Sequence, residues 1–167
     1  GSSKQMRRIV RLMKGWARSR ASWNNPTGFV ITVLVDEAYP LKQWLDRDDQ
    51  ALLAVMRSIQ NRATMNERVY RPVAPHEEIT SDRTLNRVRF LRGVLPDAIT
   101  ELSKLECADC DELTALKALK KVFNTDFWDD RIAELEKGDG NDGGGSGKAK
   151  TIPAAPVIKK GGTGQNA

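Results

Sequence analysis

One histidine, His76, is all that 167 residues contain, so no histidine pair can build a metal site or relay protons. Two cysteines, Cys107 and Cys110 in "ECADCD", are too few for a disulfide framework and fit a reducing compartment better. They have the spacing of a redox or zinc pair, but zinc wants four ligands, and with His76 as the one available third a position stays empty. Long apolar runs are missing as well. "FVITVLV", Phe29 to Val35, is the longest, far below the roughly 20 residues that span a bilayer. No signal-peptide pattern opens the chain, so the expected address is cytoplasmic, with no membrane partner.

Acid is absent from residues 2–28, which hold seven cations. The whole chain, 40% apolar and 29% charged, has the composition of a globular protein with a core and a net charge of +5. That charge is unevenly placed, because residues 97–136 carry eleven acids against five bases. The asymmetry points to a localised anionic partner. A second break follows "RIAELEK": residues 138–167 hold nine of the thirteen glycines and no aromatic residue, too little apolar surface to offset the entropy of ordering. The expected division is therefore a helical domain over 1–137 and a flexible tail over 138–167.

Periodicity predicts helices throughout the first part, an all-α domain. Met6, Ile9, Val10, Met13, Trp16 and Ala17 form an apolar stripe on a helix at about 4–20. "FVITVLVDEA" has the β-branched content of a buried strand ending in an acid pair, Asp36 and Glu37. Its entry, Asn25 as N-cap and Pro26 at the first helical position, argues for a helix running to Tyr39. "DRDDQALLAVMRSIQNRAT" has acids in its first turn and puts Leu52, Val55, Met56 and Ile59 on one face. "YRPVAPHEEITSD" is a loop, with His76 in it as an ordinary loop residue or one lying over a bound base. A long helix with a break or kink at Pro96 follows, then "DELTALKALKKVF" and "DFWDDRIAELEK". Trp16, Trp44 and Trp128, among apolar neighbours, read as core anchors.

Opposite the apolar stripe of the first helix, Arg7, Arg11, Lys14 and Arg18 recur at helical spacing. Like charges so placed repel by a few tenths of a kcal/mol per pair, so the face calls for an anion. The competing reading is a solvated face, with its other arginines paired to the acids of the second half.

"RRIVRLMKGWARSR", a short loop, "NPTGFVITVLVDEAY", an acid-led helix, a proline loop with "HEE", and "ALKKVFNTDFWDD" together resemble the C-terminal helical half of bacterial cGAS-like nucleotidyltransferases (CD-NTases) over residues 4–136. The resemblance implies a cyclic oligonucleotide synthase of a CBASS antiphage system, joining nucleoside triphosphates such as ATP. The family lysine that contacts the triphosphate matches Lys14, and the hydroxyl residue entering the next helix matches Thr27, with Arg11 beside them. Physical chemistry agrees: an ammonium suits phosphate, and free backbone N–H groups in the first turn of a helix favour anions. Thr27 could equally be a cap that needs no nucleotide. The family's glycine-serine turn and strand carboxylates, which hold Mg2+, are absent; "GSS" at residues 1–3 is followed by a basic helix. The expectation is thus the helical half of a larger enzyme, inactive without the catalytic half that binds the metal.

The tail ends "KKGGTGQNA", small and polar, able to thread as an extended strand into a narrow site. Some members of the resembled family are joined through their C-terminus to a target amine by a ubiquitin-activating and ubiquitin-conjugating fusion enzyme. The expected conjugation site is the carboxylate of Ala167. Outside that family, the alternative is a nucleic-acid-binding module that lays its basic helix on a phosphate backbone.

Overall fold

The structure, a computed structural model, describes residues 2–39 and 47–139. Trp44 and the tail beyond Asp139, Ala167 included, lie outside the described residues. Among the described residues there are six α-helices and no strand: α1 (Ser2–Ala17), α2 (Gly28–Ala38), α3 (Asp48–Met65), α4 (Asp82–Ser103), a 3₁₀ turn (Lys104–Glu106), α5 (Glu112–Phe123) and α6 (Asp129–Asp139). None of these helices is long and apolar enough to cross a membrane.

α2 explains the strand-like run. Val30, Ile31, Val33, Leu34 and Val35 are all buried, so consecutive positions need apolar side chains although the backbone is helical. α1 presents Ile9, Met13, Trp16 and Ala17 to the same core and leaves Met6 and Val10 at its margin. Leu52, Val55, Met56 and Ile59 of α3 are buried as their spacing predicts, against Val88, Leu91, Leu95 and Leu102 of α4. α4 runs unbroken through Pro96, so of the expected break or kink the break does not occur. Pro96 is exposed while Leu95 and Ala98 beside it are buried, so the packed face holds the helix and the missing N–H falls on the solvent side.

Two helix ends differ from their sequence expectation. α1 stops at Ala17, not near residue 20, because Ser19 donates from both its backbone N–H (3.0 Å) and its hydroxyl (2.7 Å) to the Trp16 carbonyl. Asn25 is not the N-cap of α2: its amide donates to the Ala17 carbonyl at 3.1 Å and closes the end of α1 instead. Thr27 takes the cap, in extended conformation, and accepts from the Val30 N–H. Trp128 is also no core anchor, for it is half-buried and packs edge-on against the exposed Phe127 at 5.5 Å.

The connection between α1 and α2 is tied to a helix about a hundred residues away. Arg20 donates to the carbonyls of Lys121 (2.6 Å) and Val122 (3.1 Å), two of the unpaired carbonyls at the negative end of α5, and lies 4.4 Å from the centre of the Trp23 ring. Asn124, in the left-handed conformation that ends α5, donates from its side chain to the Ser19 carbonyl at 2.9 Å. The N-terminal arginines find no carboxylate in the acidic second half among the described residues. Arg8 goes to Asp48, and holds that carboxyl below its usual range; the acids of the second half pair with Lys104, Lys117, Lys120, Lys121, Arg131 and, from α3, Arg57.

Glu101 is the buried member of these pairs, its side chain 9% exposed between the ammonium groups of Lys104 at 2.7 Å and Lys121 at 2.5 Å. The Lys104 hydrogen bond, with Lys121 second, holds its carboxyl below the ordinary glutamate value. A carboxyl depressed in the native state stabilises fully above its unfolded pKa and loses that contribution as pH falls through the native value. Both lysines are at least half exposed and stay hydrated, so Glu101→Gln is expected to cost about 1–2 kcal/mol at neutral pH, less than breaking a fully buried pair. Urea titrations at pH 7 and at pH 3 check this, with the gap between the two proteins narrowing at the lower pH.

Candidate anion-binding site

α1 and α2 lie antiparallel. Lys14 meets the start of α2, and at the far end Gln5 accepts from the Tyr39 hydroxyl at 2.6 Å. The basic edge of α1 therefore runs alongside α2. Gly28 is the point of closest approach: a Cβ there would stand 3.3 Å from Cε of Lys14 and 3.4 Å from Nη2 of Arg18. The missing side chain lets both cations lie across the first turn of α2.

That turn offers what an anion needs. The Ile31 N–H bonds the Thr27 carbonyl at 3.0 Å and the Val30 N–H reaches Thr27 Oγ1 at 3.5 Å, which leaves the Gly28 and Phe29 N–H groups without intrahelical partners. At 3.5 Å the capping bond is weak, and the exposed Thr27 hydroxyl keeps its own proton to donate outward. Arg7, Arg11, Lys14 and Arg18 take no ion-pair or hydrogen-bond partner among the described residues, and only Lys14 of the four is half-buried.

Two depressions lie along this edge, and Lys14 lines the first of them. One, of about 440 Å3, has an apolar floor of Met6 and Val10 with Thr32, and a rim of Arg7, Arg11 and Lys14. The other, of about 300 Å3, runs past Arg18, Trp23, Asn25, Thr27 and Gly28. The structure thus brings Lys14, Thr27 and Arg18 to one helix end and sets Arg11 a turn away along α1, facing Thr32.

The other chemistry-bearing residues do not join them. His76 sits in the 66–81 loop with Nδ1 3.0 Å from the Arg71 carbonyl. Glu37 is held by Arg62 at 2.8 Å, and Asp36 is exposed. Among the described residues no group of three or more His, Cys, Asp or Glu side chains could hold a metal ion. Sequence reasoning missed Trp23, whose ring meets Trp16 at 5.3 Å and Phe90 at 6.2 Å and anchors the loop before Thr27. It also missed Gly28, for which the dipeptide Thr27-Gly28 at a helix entry was the available signal.

No protein-family model matches the chain, and no curated protein matches it.

The long cap bond sets a modest stability role for Thr27. Thr27→Ala is expected to cost about 0.5–1 kcal/mol, the low end for a lost N-cap, and Thr27→Ser to cost less. Denaturant unfolding of both variants checks it. A loss of 2 kcal/mol or more would make Thr27 chiefly a structural cap.

Proposed function

We propose that this chain is the nucleotide-binding helical half of a CD-NTase, a cyclic di- or trinucleotide synthase of bacterial antiphage signalling. The observation that carries the reading is the basic edge of α1, without side-chain partners among the described residues, two of whose cations converge on the open first turn of α2. Lys14 contacts the triphosphate of a nucleotide such as ATP, the Thr27 hydroxyl and first-turn N–H groups hold a neighbouring phosphate oxygen, and Arg11 sets the charge beside them. The apolar floor at Met6 and Val10 gives the less polar part of the nucleotide a surface. Mg2+ belongs to carboxylates of a separate catalytic half, and the chain alone joins no nucleotides.

A charge-assisted phosphate contact is worth about 1.5–3 kcal/mol. In the complete enzyme Lys14→Ala is therefore expected to lower the rate of pyrophosphate release at least tenfold while the thermal midpoint stays put. Unchanged kinetics would return Lys14 to a solvated face. Should the basic edge serve a nucleic-acid backbone instead, affinity for duplex or single strands would fall steeply with log salt and free triphosphate would compete weakly.

The proposed function extends to the tail. Ala167 is the conjugation site: a ubiquitin-activating and ubiquitin-conjugating fusion enzyme adenylates its carboxylate with ATP, takes the chain onto a cysteine as a thioester, and passes it to a lysine. The support is compositional. Gly161, Gly162 and Gly164 lack side chains that would hinder close backbone approach. With the full synthase, the partner and ATP, a thioester-linked species is expected on a non-reducing gel. Its persistence after deletion of Ala167 would end this part of the proposal.

A further inference from the structure

Between the 3₁₀ turn and α5 the chain holds two thiols that the nucleotide reading leaves unused. Cys107, Ala108, Asp109 and Cys110 form a turn closed by the Cys110 N–H on the Cys107 carbonyl at 3.1 Å. A four-residue turn brings its first and last Cα atoms within about 7 Å, and a disulfide takes Cα atoms about 4.4–6.8 Å apart. Both cysteines are free; Cys107 is exposed and Cys110 half-buried, its thiol 3.6 Å from the Asp111 carbonyl.

Both ends of the turn are held. On the N-terminal side Arg57 forks onto Glu106 with two bonds of 2.9 Å and reaches Ser103 Oγ at 3.1 Å. On the C-terminal side the Asp111 carboxylate accepts from the Thr114 N–H at 2.7 Å and caps α5. The thiol pair is thus kept on a short, anchored arc. Glu106, Asp109 and Asp111 flank the pair in sequence.

We propose that Cys107 and Cys110 are a modification site: a dithiol that closes reversibly to an intramolecular disulfide by exchange with a small-molecule disulfide such as glutathione disulfide. The exposed Cys107 thiol gives its proton to solvent, and its sulfur attacks one sulfur of glutathione disulfide. That S–S bond breaks, and one glutathione leaves as a thiolate and takes up a proton. The Cys110 thiol then loses its proton and attacks the Cys107 sulfur of the mixed disulfide, expelling the second glutathione, which is protonated in turn. Two protein thiols have lost two electrons and two protons, and glutathione disulfide has gained them as two glutathione thiols. The order follows from exposure. The attack on Cys107 needs no opening of the turn, and the resolving thiol lies on the same arc.

The test uses the full chain, reduced and then incubated with glutathione disulfide. Intact mass should fall by two hydrogen atoms, no thiol should remain alkylatable after denaturation, the chain should run as a monomer without reductant, and dithiothreitol should restore the starting mass. Cys110→Ser should stop at a stable single glutathione adduct, and Cys107→Ser should form its adduct several-fold more slowly. Retained glutathione on the unmutated chain, a disulfide-linked dimer, or two unreacted thiols would overturn the proposal. So would retention of stoichiometric Zn2+ that shields both thiols from exchange. Equal adduct rates on the two variants would overturn the assignment of Cys107 as the attacking sulfur.

Discussion

Burial of Val30, Ile31, Val33, Leu34 and Val35 in α2 is the constraint around which the other helices are arranged. Five of its eleven residues are buried, and the walls that bury them are the apolar faces of α1 and α3, with α4 behind α3. With these residues enclosed, the N-terminus is one of the places where the helix meets solvent. The dipole of α2 and the free N–H groups of Gly28 and Phe29 are therefore presented at a single mouth. α1 must keep one face for the core, and the opposite edge, whose four cations take no side-chain partner among the described residues, reaches that mouth at Lys14 and Arg18.

Anchoring of the mouth matters as much as its charge. The loop entering α2 carries Trp23, wedged edge-on between Trp16 and Phe90, and Asn25, whose amide closes α1. Thr27 is thus placed by contacts on both sides rather than by its own weak cap bond. At the other end of the hairpin a polar chain from Tyr39 through the buried Gln5 to Asp48 and Arg8 sets how α1, α2 and α3 are stacked. Removing water from Gln5 makes this arrangement specific, because a shift of α1 would leave its amide unpaired.

Where one face of a helix meets the core, the sequence was readable: the α1 stripe and the α3 face appear at the spacing their side chains require. α2 was ambiguous for the same physical reason that makes it central, since burial of consecutive positions blurs the 3.6-residue signature and its β-branched run imitates a strand. The Asn-Pro entry pointed to a helix but misplaced the cap by two residues, because Asn25 serves the helix before it. Pro96 does not break its helix, because packing on one face outweighs a lost bond on the other. Trp128 misled because apolar neighbours in sequence do not guarantee neighbours in space. Arg20 left no trace at all, for its acceptors are backbone carbonyls and any residue pair would supply them. Of the candidate site, the cations were legible from their spacing, Thr27 entered only through the family resemblance, and the close approach at Gly28 was not legible.

The clamp from Arg20 and Asn124 has a kinetic consequence. It joins residues 101 to 105 positions apart in sequence, so three hydrogen bonds close a loop of about a hundred residues. Closing a flexible loop of that size costs about 4 kcal/mol of chain entropy, more than those bonds return by themselves. The clamp can therefore close only after α1 to α4 have collapsed and shortened the effective loop. α5 and α6, held to each other largely by exposed ion pairs, dock last and open first. The expected order of folding therefore runs from the α1–α2 hairpin outward, with α5 and α6 the most readily released part among the described residues.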